Sequence, residues 1–398
     1  MRQAGAGAVG AVVILLVVTP VLGIDLQLPA MPDIARDLGA SVGQVQLTLS
    51  LYTIAFAVMQ LLFGSLGDRH GRRKLILASL ALYALASLYC ALAPSIGHLT
   101  AARILQGIAA CGGPVLGRAV VRDLYDPKGA GRVLGTVMAC FGIAAIVVPI
   151  LGGQLVEAFG WRATFFLAAG YGVGLLVLTA LILPETLRAS AAGTRRVGRL
   201  FGDYLILLRT PEFLVIAATG CFIQGAMFTW ISGSSFAVIR VLGYSPSIYS
   251  LVYAVTVFGF VMTSFASGRV IARLGQRRLI ALGGTLALIG AATGLVLNLA
   301  VTPSLLTLVA PIFVVAVGHG FTLAQAMAGT MAAFPHLAGT ASALFGFLQY
   351  LMATVVVAAN GVLFDGTVVP LLVISTSCAA LAMLCFGLFG RHVKLAGA

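Results

Sequence analysis

Apolar runs of about twenty residues follow one another along almost the whole chain, broken by short polar turns. A helix of about 20 apolar residues crosses the hydrocarbon of a bilayer, so the pattern predicts membrane spans rather than a soluble core. Twelve are predicted. The first covers residues 8–30, up to a break at Pro29 and Pro32, and the next four cover about 43–65, 75–94, 98–120 and 133–156. The sixth runs from the turn at Arg162 to Leu183, and the rest cover about 212–239, 246–267, 277–299, 303–328, 337–363 and 367–390. A polar segment, Arg122 to Arg132, separates the fourth and fifth. The longest polar stretch lies midway and contains Arg188, Arg195, Arg196, Arg199 and Arg209. It reads as a linker, 187–211, between a six-helix half at 1–186 and another at 212–398. The expected fold class is therefore an all-α membrane protein of twelve transmembrane helices in two pseudo-symmetric halves.

Between the second and third runs stands Gly64-Ser65-Leu66-Gly67-Asp68-Arg69-His70-Gly71-Arg72-Arg73-Lys74. A cluster with that many charges cannot enter hydrocarbon, so it predicts a tight aqueous turn. The same design returns 204 residues later, with Gly268, Arg273, Gly275 and Arg277 at the places of Gly64, Arg69, Gly71 and Arg73. Two matching turns half a chain apart predict an internal duplication.

Composition sharpens this picture. Of 398 residues, 60% are hydrophobic and 9% charged, far below the quarter usual for soluble domains. The net charge of +13 raises nucleic acid as a partner, but its distribution excludes it. The predicted topology puts 19 of the 24 Lys and Arg on one side, three on the other (Arg36, Arg162, Arg240) and two within spans (Arg103, Arg118). That is the positive-inside bias of a cytoplasmic face. The basic turns and both termini are thus expected in the cytoplasm. Arg2 before an apolar run suggests a signal peptide, yet the run is long, lacks a small-residue cleavage site and leads into another span, so retention is expected. Six cysteines are scattered through apolar runs without CxxC or histidine pairing, which predicts packing rather than disulfides or metal.

Three stretches carry a family resemblance. The first turn, Gly64 to Arg73, matches G-x-L-x-D-R-x-G-R-R. Leu99 to Gly107 matches L-x-x-x-R-x-x-Q-G through Arg103, Gln106 and Gly107. The fifth span carries Gly135, then Pro149, Gly152 and Gly153. Together they resemble the signature motifs of the major facilitator superfamily, the last being typical of drug/proton antiporters. The stretch Asp25-Leu26-Gln27-Leu28-Pro29-Ala30-Met31-Pro32 resembles the D-x-Y-L-P-x-x-P of the bicyclomycin/chloramphenicol-resistance (Bcr/CflA) subfamily, as do Gly117 to Leu124 and Ala338 to Ala343. Gln27 stands where that subfamily has tyrosine, and Val148 and Ala144 replace glycines of the fifth-span motif. The resemblance implies that Asp68 acts as a cytoplasmic latch, pairing with a cation after the fourth span, for which Arg122 is the candidate, and with the positive end of the eleventh. A solvated topogenic turn is the other reading.

Read physically, Asp25 is the acid placed well inside a span, where a carboxylate costs a few kcal/mol and must face water or a partner. Arg103 is its expected partner. Both lie within roughly 10 Å of the outer surface at 1.5 Å per residue. Such a pair can take and release a proton, or can be a fixed ion pair joining two helices. Gln46 and Thr53 lie on a polar stripe of the second span and Gln349 on one of the eleventh, facing a cavity or an interface between halves. With Gln27, the aromatic residues Phe228, Trp230 and Tyr350 complete the candidate substrate-cavity residues. His319 carries protons or is a hydrogen-bonded structural residue.

The expected function is proton-coupled efflux of small, mostly apolar drug-like compounds by a monomer in the bacterial inner membrane. The alternative is an exporter or proton symporter of a small metabolite such as an amino acid, sugar or peptide. No catalytic constellation, metal or organic cofactor is expected; the proton gradient supplies the energy.

Overall fold

The computed structural model describes residues 6–187 and 197–389, and it is helical almost throughout. The chain divides into two compact units, Met1–Val197 and Gly198–Ala398.

The first unit opens with α1, Ala6–Ile24, which tightens into a 3-10 segment, Asp25–Ala30, and continues as the short α2, Met31–Asp37. Pro29 lacks the N–H that the Asp25 carbonyl would accept, so the α pattern loses a bond there. Next come α3 (Val42–His70), α4 (Arg72–Ala91), α5 (Ile96–Ala110), α6 (Gly112–Leu124), α7 (Pro127–Phe159) and α8 (Arg162–Ile182). A capping box starts α3: Ser41 and Gln44 satisfy each other's backbone N–H groups at 3.2 and 2.9 Å. Helices α5 and α6 form one membrane-length stretch, Ile96–Leu124.

The second unit begins with α9 (Val197–Leu208), then α10 (Pro211–Ser235, extended by a π turn over Phe236–Val241), α11 (Pro246–Ala300), α12 (Leu305–Ala332), α13 (Ala338–Leu363) and α14 (Val369–Phe389). Proline in the first turn opens α7, α10 and α11, where its missing N–H leaves no bond unmade. Among the described residues, 11 stretches are long and apolar enough to cross a membrane. The 55-residue α11 holds two of the crossings, because Gly275 inside it is non-helical (φ 76°). That makes twelve.

Gly275 stands at the place of Gly71, which ends α3 at φ 96°. The left-handed region suits glycine, so both repeats of the basic turn bend at the same residue for the same reason. The faces also obey membrane logic. Leu85, Leu181, Leu306 and Val362 are exposed, whereas Thr53, Ser87, Gln106 and Thr256 are buried.

Three boundaries are sharper in the structure than in the sequence. Of the polar segment 122–132, only Tyr125 and Asp126 lie outside helices, since α6 runs to Leu124 and α7 starts at Pro127. Within the expected linker, 197–208 form α9. The first span does not end at Ala30, since α2 carries it to Asp37. Arg188, Arg195 and Arg196, the first five residues and 390–398 lie outside the described residues.

Candidate functional site

In the first unit the buried centre is Arg103 on α5, only 2% exposed. Its Nη1 donates to the Gly23 carbonyl at 2.6 Å and to Gln106 Oε1 at 2.5 Å. The guanidinium lies over the Tyr52 ring of α3, 4.3 Å from its centroid. Gln106 passes the bond on, donating to Ser87 of α4 at 2.8 Å. The sequence pointed to Asp25 as the partner of Arg103. Among the described contacts, a carbonyl, an amide and an aromatic face hold the guanidinium. They reach the chain two residues before Asp25, at the point where α1 gives way to the 3-10 segment. Asp25 itself is half-buried.

Gly107 completes the arrangement. A Cβ there would strike the Tyr52 carbonyl, so glycine lets α5 lie against the α3 backbone and sets Tyr52 under the guanidinium. The motif residues Arg103, Gln106 and Gly107 thus each have a separate physical task. Gly152 of α7 does similar work, meeting the Leu26 carbonyl of the 3-10 segment where a side chain would collide. Gly135 does not: a Cβ there would meet nothing within 4 Å. Pro149 and Gly153 are buried with Gly152 on α7.

The basic turn is a second cluster. Arg72 Nη2 bonds Asp68 at 2.5 Å, its Nε reaches Asp123 on α6 at 3.3 Å, and its Nη1 the Gly64 carbonyl at 3.4 Å. Asp68 therefore pairs with Arg72 of its own turn, where the sequence pointed to Arg122. Arg122 is exposed, and its neighbour Asp123 joins the cluster instead. Glu185, just past α8, accepts the N–H groups of Arg72 and Arg73 at 2.9 and 3.2 Å, an N-terminal cap for α4 supplied from 113 and 112 residues away. Arg73 returns a bond to the Ala180 carbonyl at 2.7 Å. Arg69 is exposed.

Asp123 and Glu185 were missed by the sequence reading. The usable signal was their sign: they are acids on a face otherwise populated by Lys and Arg. At the equivalent turn of the second unit the arginines at 273 and 277 remain, but the Asp68–Arg72 pair has no charged counterpart. Ala272 and Gln276 stand for Asp68 and Arg72, and Gln276 donates to the Gln325 carbonyl at 2.8 Å.

Glu185 also occupies the space that a Cβ on Gly71 would need. Gly71→Ala is therefore expected to lower stability by about 2–3 kcal/mol through backbone strain and collision. Glu185→Gln keeps an acceptor but loses an exposed charge at a helix end, about 0.3–1 kcal/mol. Thermal unfolding in detergent should rank them in that order; the reverse order would contradict this account of the turn.

The remaining candidates are spread through both units. Gln27 and Gln46 are buried, and Thr53 is buried with its hydroxyl on the Ser50 carbonyl at 2.8 Å. In the second unit Phe228 meets Tyr350 edge to face at 6.0 Å, beside half-buried Gln349. Trp230 is fully buried and donates to Thr256 at 3.2 Å, joining α10 to α11. His319 stacks on Phe260 at 4.6 Å and bonds Gln224 at 2.6 Å.

Twelve crossings in two repeated sets, each with the same basic turn, define a multi-pass helical membrane transporter. The chain belongs to the Major Facilitator Superfamily, whose profile matches residues 13–357. It is a secondary transporter of that family, not an enzyme. It is 33% identical over 367 residues to the uncharacterised MFS-type transporter YdgK of Bacillus subtilis, covering 92% of this chain and 91% of that one. It is 32% identical over 224 residues to a bicyclomycin resistance protein homolog of Haemophilus influenzae, 56% of each chain. It is 30% identical over 234 residues to the multidrug resistance protein MdtL of Escherichia coli, 59% of each. Among solved structures it resembles a bacterial homolog of the human lysosomal transporter Spinster (TM-score 0.75, 16% identity, 100% of both chains). A D-xylose-proton symporter matches equally well (TM-score 0.75, 14% identity, 98% of both). Those two show the fold alone.

Proposed function

We propose that the protein is a proton-coupled exporter of small, mostly apolar drug-like compounds, working by alternating access in the bacterial inner membrane. The observation that carries this reading is the half-buried carboxylate of Asp25 at a helical break, with the buried cation Arg103 gripping the backbone two residues away. A proton antiporter needs a group that is loaded on one side and emptied on the other, and a carboxylate at a break in a span meets that need. Arg103 is its positioning residue and the nearby positive charge that favours release. The Asp68–Arg72–Asp123 cluster and Glu185 stiffen the cytoplasmic gate. The partial likeness to proteins named for bicyclomycin and multidrug resistance supports drugs as substrates.

The energetics suffice. One proton entering down roughly 100 mV and one pH unit supplies about 2.3 plus 1.4 kcal/mol, about a 500-fold gradient of a neutral compound at one-to-one exchange. The test uses everted vesicles holding an acid interior. Adding a neutral antibiotic substrate should raise the internal pH as protons leave in exchange. A panel in which only sugars, amino acids or peptides move protons would overturn the drug assignment.

A further inference from the structure

His319 of α12 and Gln224 of α10 form a polar pair that proton coupling through Asp25 does not use. Both stand near the middle of their membrane stretches, and His319 is buried. Glycines on either side of it let α12 lie against α11. A Cβ on Gly318 would strike the Gly283 carbonyl, and one on Gly320 the Phe260 carbonyl. That close approach seats the imidazole on the Phe260 ring, 4.6 Å between centroids. His319 Nε2 meets Gln224 Oε1 at 2.6 Å. A carbonyl oxygen only accepts, so Nε2 carries the hydrogen, and the neutral ring keeps a lone pair on Nδ1. This Nδ1 is buried and has no hydrogen-bond partner among the described residues.

A complementary atom stands on α13. Gly220 of α10 faces Phe345 and Gly225 faces Met352. Gln349, four residues after one and three before the other, therefore shares the face of α13 turned to α10. The two pairings, offset by 125 and 127 residues, set Gln349 level with residues 222–224. Its Nε2 is a buried donor without a partner among the described residues. Phe228, one turn beyond Gln224, meets Tyr350 edge to face at 6.0 Å. Aromatic surface with a few polar groups that fix orientation is what small-molecule sites are made of. A hydroxyl would offer donor and acceptor from one atom. A trans amide offers them on opposite sides, which suits partners on two helices.

We propose that His319 and Gln349 form a recognition site in the second unit for a neutral aromatic amide. The amide N–H donates to His319 Nδ1, its carbonyl accepts from Gln349 Nε2, and its ring lies against Phe228 and Tyr350. Gln224 is a positioning residue, because its carbonyl fixes the imidazole tautomer. The inference deepens the reading of the substrates as mostly apolar drug-like compounds and rests on it. The role is recognition and not proton carriage, so protons released per molecule bound do not depend on it.

The probes are N-methyl-2-naphthamide and methyl 2-naphthoate, which share a shape and differ by an N–H against an ester oxygen. Equilibrium dialysis against the full chain in nanodiscs, corrected with empty nanodiscs, needs no proton gradient. The wild-type protein should bind the amide about tenfold more tightly than the ester. This comparison stands whether or not a variant folds. His319→Phe, which keeps a ring on Phe260, should abolish the preference. Gln224→Leu frees the tautomer and should narrow it by admitting the ester, whereas Gln349→Leu should weaken both probes alike. Equal binding of amide and ester by the wild-type protein, or a preference that survives in His319→Phe, would overturn the site. Failure of both probes to bind would overturn the aromatic-amide class, and the vesicle panel remains the separate test of export.

Discussion

An Asp25→Asn protein should fold, bind substrate and fail to concentrate it against a gradient. Asparagine keeps nearly the same volume at the start of the 3-10 segment but fixes the site in a neutral form that mimics the proton-loaded state. Binding contacts that do not involve the proton survive, so affinity falls modestly, whereas pH-driven uphill transport drops to background. The fold should tolerate the change, because Arg103 rests on the Gly23 carbonyl, Gln106 and Tyr52. Counterflow, which needs no net proton movement, should persist in reconstituted vesicles. Loss of counterflow together with uphill transport, in a well-folded protein, would mean that Asp25 serves binding or the conformational cycle rather than coupling.

Arg103→Lys should be the most damaging conservative change in the first unit. The planar guanidinium stacks on Tyr52 with its Nη1 shared between a carbonyl and an amide, and an ammonium on a flexible stem cannot reproduce that geometry. A charge-assisted hydrogen bond is worth about 1.5–3 kcal/mol and a desolvated cation–π contact up to about 2. Allowing for what lysine recovers, a loss of about 2–4 kcal/mol is expected. Thermal unfolding in detergent should fall accordingly, and transport at least tenfold. Tyr52→Phe, which keeps the ring face, should retain more stability than Tyr52→Leu. Wild-type stability of Arg103→Lys would contradict the role of Gly23, Gln106 and Tyr52 in holding the guanidinium.

The spans were legible because hydrocarbon imposes one rule on every crossing, and the rule shows in single runs of residues. The bend at both basic turns was legible through Gly71 and Gly275, since few other residues suit that backbone. What the sequence hid was contact between distant segments. Arg72 meets Asp123 across 51 positions and Glu185 across 113, and no periodicity reports such distances. Arg122 was the candidate for Asp68 because the family resemblance implies a cation after the fourth span, yet Arg72 lies one helical turn away and needs no other element to be brought near. Helix α9 was hidden for a different reason: its arginine-rich flank marks a linker, and a 12-residue apolar pattern is too short to register as a span.

The most direct test of the central claim, that Asp25 carries the coupled proton, is proton release on substrate addition, read from detergent-solubilised protein in weakly buffered solution. Wild-type protein should release protons in proportion to the substrate bound, His319→Gln should do the same, and Asp25→Asn should release none while still binding. Normal release from Asp25→Asn, with release abolished in His319→Gln, would move the coupling site to α12 and contradict the account.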